Sequence, residues 1–153
     1  MEALDGKILQ ALSLDSSPAI AELAAELGVP ASTLHQRVKR LEAKGLISGY
    51  RAVIDQRKAG LKLHALVSLT PIDPARPDDV PEVMAGIAEV ESCWSVAGHE
   101  SYVIKVAVSE PEELEALLAK VRALANVSST STVILSTPFE YRQAAIPEPK
   151  EDQ

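Results

Sequence analysis

Apolar residues in the first fifty positions recur at intervals of three and four, the period of amphipathic helices. Leu4, Ile8, Ala11 and Leu12 make one stripe, Ile20, Leu23, Ala24 and Leu27 a second, and Leu34, Val38 and Leu41 a third. Three helices are predicted. Ser17-Pro18 opens the second with a capping hydroxyl followed by proline, and Gly28 breaks it. The third is expected over residues 31–44, with Gly45 placed to close it in a left-handed conformation. A short connection that starts with glycine, between the second and third helices, is the helix-turn-helix pattern. Over residues 46–54, Ile47, Tyr50, Val53 and Ile54 fit an extended segment leading toward a second unit.

Beyond Gly60, a plausible boundary, strand and helix periods alternate. Strands are predicted over 61–70, 90–97, 102–109 and 127–137, with helices over 78–88 and 110–124. The first of these helices carries Val80, Val83, Met84 and Ile87; the second carries Leu114, Leu117, Leu118 and Val121. The order β-α-β-β-α-β is the ferredoxin-like split unit, one antiparallel sheet with both helices on one face. The expected class is therefore α+β. Residues 1–50 form a helix-turn-helix domain, 51–60 an extended linker or hinge strand, 61–138 the ferredoxin-like domain, and 139–153 a C-terminal arm and tail rich in proline and charge. The face of the sheet away from the helices needs cover. Leu63, Ala65, Val67, Leu69, Val103 and Val133 are the residues assigned to it, and a second copy of the chain is the expected cover.

Composition narrows the possibilities. Among 153 residues, 46% are hydrophobic and only 3% aromatic, so the cores must be aliphatic. The single cysteine, Cys93, excludes an intrachain disulfide framework and a Cys-based zinc site, and is expected as a small core residue. Trp94, the only tryptophan, is assigned to a subunit interface, and His64 to a strand surface. No apolar run approaches the ~20 residues that cross a bilayer. The N-terminus lacks a basic stretch followed by an apolar run, so a soluble cytoplasmic protein is expected. No Ser/His/Asp set, P-loop or pair of carboxylates at catalytic spacing stands out, and no enzyme, metal or cofactor is expected.

A net charge of -7 argues against nucleic-acid binding until the chain is divided. Residues 1–60 hold 8 basic against 7 acidic side chains, and residues 61–153 hold 7 against 15. Within residues 31–51 the balance is 5 basic to 1 acidic. Local charge sets the field that a phosphate backbone meets. At 100° per residue, Leu34, Val38 and Leu41 share one face of the third helix, while Ser32, Gln36 and Lys39 lie opposite, flanked by His35 and by Arg40 and Thr33. One side suits a core and the other a polyanion, so this is read as a DNA recognition helix rather than a merely solvated basic face. Ser32, His35, Gln36 and Lys39 are the candidates for base edges, since Gln pairs with adenine and Lys with guanine. Thr33, Arg37 and Arg40 suit phosphates, and Ala31 and Tyr50 flank the same surface. Arg37 borders the apolar stripe, and a structural tie to a neighbouring carboxylate is the equal alternative for it.

A second candidate is Gly98-His99-Glu100-Ser101-Tyr102, between two predicted strands. Glycine permits positive φ and a close approach of backbone N–H groups to a carboxylate, and Glu100 offers the charge that an α-ammonium group needs. An ordinary hairpin connection remains the alternative. Thr130 and Thr132 on the last strand are weaker candidates, because threonine is a common strand former.

These segments together resemble the Lrp/AsnC (leucine-responsive regulatory protein/asparagine regulator) transcription factors. The resemblance is carried by Leu4-Asp5-Gly-Lys-Ile8-Leu9, by Glu22-Leu23-Ala24 with Leu27-Gly28, and by Thr33-Leu34 with Arg37-Val38-Lys39-Arg40-Leu41-Glu42. It continues through Gly45-Leu46-Ile47-Ser48-Gly49-Tyr50, Val96-Ala97-Gly98 to Tyr102, and Thr132-Val133-Ile134-Leu135. It covers roughly residues 2–140, and Cys93-Trp94 with Glu100-Ser101-Tyr102 resembles the actinobacterial branch. The resemblance implies a winged helix-turn-helix followed by a RAM/ACT-like ligand-binding domain. It further implies a cytoplasmic regulator of transcription that binds double-stranded DNA, with dimers assembling to octamers or similar rings. A small effector, an amino acid, would bind at residues 98–102 with Thr130 and Thr132 and alter assembly or DNA affinity. The alternatives on the same fold are an architectural DNA-wrapping protein and a sirohaem-decarboxylase-like enzyme. The latter needs basic and histidine contacts to haem, and only His35, His64 and His99 exist here. Two positions depart from the family pattern: Pro30 stands where a serine caps the recognition helix, and Ser101 where an aspartate precedes the loop tyrosine.

Overall fold

The structure is a computed structural model and describes residues 2–14, 20–73, 75 and 78–141. The chain divides into two compact units, one of residues 1–53 with 138–153 and the other of residues 54–137.

In the first unit, α1 spans Ala3–Leu14, α2 Ile20–Glu26 and α3 Ala31–Ala43. Each contributes its apolar stripe to one small core. Ile8, Leu23, Ala24, Leu34, Val38 and Leu41 are buried, and Leu4, Leu9, Ala11, Leu12, Leu27, Val29 and Ile47 pack around them. The predicted Ser17-Pro18 start of α2 lies outside the described residues. The turn between α2 and α3 is closed by Gly28 at φ +67, with Gly28 N–H donating to Ala25 and Val29 N–H to Ala24. Pro30 is neither inside α3 nor bypassed by a later start. It is the extended N-cap, and its carbonyl accepts from Leu34 N–H at 3.0 Å with no side-chain cap. At the other end Gly45, φ +71, donates to Glu42 and Leu46 N–H donates to Leu41, a Schellman closure that satisfies orphan carbonyls. Residues 48–55 are extended without a ladder partner.

The second unit begins with a turn in which Ala59 N–H donates to Asp55 and Leu61 N–H to Gln56, Gly60 supplying φ +103. It then builds β1 Leu63–Pro71, α4 Val80–Ala85, β2 Val90–Ser95, β3 Tyr102–Val108, α5 Pro111–Ala125 and β4 Val127–Val133. Sheet order is β2-β3-β1-β4 with every pair antiparallel, as the split unit requires. Both helices cover one face, where Ala65, Val67, Leu69, Met84, Ile104, Val106, Leu117 and Val121 form the centre of the core. α5 starts with Glu112 and Glu113 in its first turn, favourable against the helix dipole, and Glu113 Oε2 accepts from Ser109 N–H at 2.8 Å.

Two expectations about the sheet are corrected. Leu63, Ala65, Val67 and Leu69 belong to the helix-covered face, since alternate residues along a strand share one face and this row is taken up by α4 and α5. Val133 pairs with Ala65 on the same row, at the edge. Of the residues assigned to the open face only Val103 lies there. Its neighbours are Trp94 and Ser68, with Thr130 beyond, and the adjacent row is Ser92, Lys105, Leu66 and Thr132. Cys93 is not a core residue but is exposed, because β2 is an edge strand with nothing packed outside it.

Candidate functional site

The predicted face of α3 is exposed as the helix period requires. Ala31, Ser32, His35, Gln36, Lys39 and Arg40 face solvent, Thr33 and Arg37 are half-buried, and Leu34, Val38 and Leu41 anchor the opposite side. None of Ser32, His35, Gln36 or Lys39 is tied by a side-chain hydrogen bond or ion pair to another described residue.

Arg37 and Arg40 behave differently. Arg37 Nη1 donates to Asp5 Oδ1 at 2.9 Å, and its Nη2 lies 2.6 Å from Glu2 Oε2. Arg40 Nη2 reaches Asp5 Oδ2 at 3.1 Å and Glu2 Oε1 at 3.3 Å. Of the two roles open for Arg37, the structure therefore places its guanidinium on α1. Asp5 is the one buried charged residue among the described ones, with its side chain 5% exposed, and it is affordable only because two guanidiniums face it. Burial alone would raise its carboxyl pKa. The Arg37 hydrogen bond, the Glu2 backbone and the charges of Arg40 and Arg37 outweigh that and hold it below the ordinary aspartate value. Hydrogen bonds from Arg37 and then Arg40 lower Glu2 in the same way, and Glu2 followed by Asp5 raises Arg37. Asp5 and Glu2 are the site residues that sequence reasoning did not nominate. The available signal was a carboxylate at position 5, between Leu4 and Ile8 on the edge of an apolar stripe.

Tyr50, beyond the helix, is half-exposed and donates its hydroxyl to Glu42 Oε1 at 2.8 Å. Partial burial and then the Glu42 contact raise its phenol pKa. Arg51 stacks over the Tyr141 ring at 4.5 Å, which returns the described part of the C-terminal arm to the first unit; the tail from residue 142 lies outside the described residues.

The second candidate site lies at one end of the sheet. Val96 N–H donates to Ser101 and Ser101 N–H to Leu69, so residues 97–100 close the β2–β3 hairpin beside the end of β1. Gly98 and His99 are exposed and Glu100 and Ser101 half-buried. Gly98 does not use the positive φ expected of it. A Cβ there would meet only Glu100 Oε2, at 4.0 Å, so only a close approach from outside the chain would call for glycine. Tyr102 turns away from the loop into the core, where its hydroxyl donates to Asp78. That bond, with burial behind it, pushes its pKa up to about 12. Thr130 and Thr132 are exposed on the open face of β4, two strands from β3 and hence ~10 Å across the sheet. One chain does not bring them against the loop. Among the described residues no His/Cys/Asp/Glu group could hold a metal ion, and no helix is long and apolar enough to cross a membrane.

Comparison with known proteins agrees with this geometry along nearly the whole chain. The Lrp/AsnC ligand binding domain matches residues 64–144, and a winged helix-turn-helix DNA-binding domain matches residues 1–48. The HTH-type transcriptional regulator LrpA of Mycobacterium tuberculosis is 43% identical over 143 residues, covering 94% of this chain and 95% of that protein. The regulatory protein AsnC of Haemophilus influenzae is 30% identical, covering 88% and 90%. Among solved structures, a feast or famine regulatory protein from M. tuberculosis complexed with L-methionine has a TM-score of 0.91 at 42% identity, covering 95% of this chain and 99% of that one.

Proposed function

This chain belongs to the Lrp/AsnC family of transcriptional regulators, and from that premise we propose that it reads duplex DNA with the Ser32–Lys39 face of α3 and answers to an amino acid. The observation that carries the reading is the division of labour on α3. Leu34, Val38 and Leu41 hold one side to the core, Arg37 and Arg40 are held by α1, and Ser32, His35, Gln36 and Lys39 are left in solvent with no partner among the described residues. A helix docked so firmly on one side and so uncommitted on the other is suited to entering a major groove. In this assignment Gln36 and Lys39 read base edges, Thr33, Arg40 and Tyr50 face phosphates, and Arg37 acts through α1 as a positioning residue. Acting on DNA, the protein works in the cytoplasm.

The effector reading rests on the family's ligand-binding domain and on the L-methionine complex of a relative. In this chain the exposed loop at Gly98, His99, Glu100 and Ser101 is the surface offered to such a ligand. Gly98 permits a close approach, and Glu100 is the charge for an ammonium group. Tyr102 supports the loop from beneath. Thr130 and Thr132 could join the site only from a second copy, which makes it an inter-subunit site in an assembly built on the open sheet face. The effector acts by binding one state of assembly or DNA affinity better than another.

Fluorescence anisotropy with duplex DNA, repeated across the standard amino acids alongside sizing by light scattering, tests both halves. Lys39→Ala is expected to weaken binding and lower the sequence preference. At least one amino acid is expected to change affinity or assembly, and Glu100→Gln to abolish that response. Binding that ignores Lys39 ends the α3 reading, and a panel without a response ends the effector reading.

A further inference from the structure

Glu2 and Asp5 hold the same two guanidiniums, but from different environments. Asp5 is buried and spends one oxygen on Arg37, at 2.9 Å, and one on Arg40, at 3.1 Å. That alone pins α1 to α3. Glu2 repeats the arrangement in solvent, Oε2 on Arg37 at 2.6 Å and Oε1 on Arg40 at 3.3 Å, with its side chain 59% exposed and that of Arg40 43%. An outer pair so open to water adds little to the fold. Arg40 stands one helical turn beyond Gln36, beside the row assigned to DNA. A carboxylate offers a guanidinium two anionic oxygens in the same planar presentation as the two free oxygens of a phosphodiester.

We propose that Glu2 is an internal stand-in for a DNA phosphate: it occupies Arg40 in the free chain and must give that guanidinium up when α3 docks on DNA. Glu2 thereby sets an upper limit on affinity without serving the fold, while Asp5 keeps both arginines oriented throughout. The inference rests on the reading that α3 faces DNA. It adds that part of the binding charge is held in reserve by α1.

The test is a double-mutant cycle on the full chain with a short duplex of mixed sequence, read by anisotropy across a salt series. Glu2→Gln keeps the size of the side chain and leaves Asp5 in place. It is expected to tighten binding about two- to fivefold, the scale of one exposed ion pair. The slope of log affinity against log salt should steepen by about 0.9, the signature of one more phosphate neutralised. In an Arg40→Ala background the same change should do nothing. No gain from Glu2→Gln, or an equal gain without Arg40, overturns the proposal, because the second result is general repulsion between Glu2 and DNA. Lys39→Ala run in parallel separates the two levels. If it leaves binding unchanged, the α3 reading has failed and takes this inference with it. If Lys39 matters and Glu2 does not, only the stand-in is lost.

Discussion

At the scale of single residues, the most consequential side chain is the carboxylate of Asp5. A hydrogen-bonded charge in a buried place is expensive to remove, because the guanidiniums facing it lose their partner while keeping their charge. Asp5→Asn should therefore destabilise the chain by about 2 kcal/mol in urea denaturation at neutral pH, the usual worth of hydrogen bonds to charged groups. The pH dependence carries a definite sign. Asp5 is held below 3.8 in the folded state, so its contribution is complete above the ordinary aspartate value and disappears as pH falls through the lowered one. The gap between the natural chain and Asp5→Asn should stay constant from neutral pH to about 5 and close below about 4; a gap that persists in acid would mean the charge is not what stabilises. Little of this was legible in the sequence. A carboxylate bordering an apolar stripe signals a buried partner, but Arg37 lies 32 residues away and only folding brings them together. Tyr102 shows the same limit in reverse. As part of a polar loop motif it was assigned to the effector, yet as the first residue of β3 it falls on the helix-covered row and bonds to Asp78.

At the scale of elements, the sequence was most informative where one local rule determined the outcome. α3 ends where Gly45 permits, and its left-handed conformation with two backbone hydrogen bonds was readable from a glycine after a basic last turn. Gly45→Ala should cost about 1 kcal/mol, measured by thermal or chemical unfolding. The cost is purely conformational, since nothing lies within 4 Å of where the new methyl would stand. Gly98→Ala, with no positive φ to maintain, should be neutral in the same assay; equal losses at both positions would contradict the backbone argument. Pro30 was the harder case. It cannot cap by side chain, yet its fixed φ of -60 suits the extended N-cap and its carbonyl still receives the first helical bond. The strands exposed a different ambiguity. In β1 the alternation divides Leu63, Ala65, Val67 and Leu69 from His64, Leu66 and Ser68, and the more apolar set went to the helices. Sequence periodicity separates two faces but does not say which neighbour each receives.

At the scale of the whole molecule, that reassignment decides how two copies could meet. The open face of the sheet presents Val103 on an inner strand between Trp94 and Ser68, with Leu66 on the next row. Trp94 is 47% exposed and Leu66 38%. The polar members are small, apart from Lys105, whose Nζ is already 3.2 Å from Glu91 Oε2 and so enters an interface as part of a neutral pair. The surplus of acid in this half sits elsewhere, at Glu112, Glu113 and Glu115 on α5 and at Asp79 and Glu82 around α4, on the far side of the sheet. Two such faces can therefore approach without bringing like charges together, and the acidic half can assemble while the basic helix faces outward. Val103→Arg tests this directly. It places a charge at the centre of the open face and should convert the assembly to monomers in light scattering with the circular dichroism unchanged. The single tryptophan supplies an independent readout on the same face. Trp94 emission should shift to the blue as chain concentration rises through the dissociation constant, and in Val103→Arg it should stay red at every concentration. If the natural chain is assembled while Trp94 emission never moves on dilution to monomers, the subunits meet through another surface, and Thr130 and Thr132 lose their route to the loop at Gly98–Ser101.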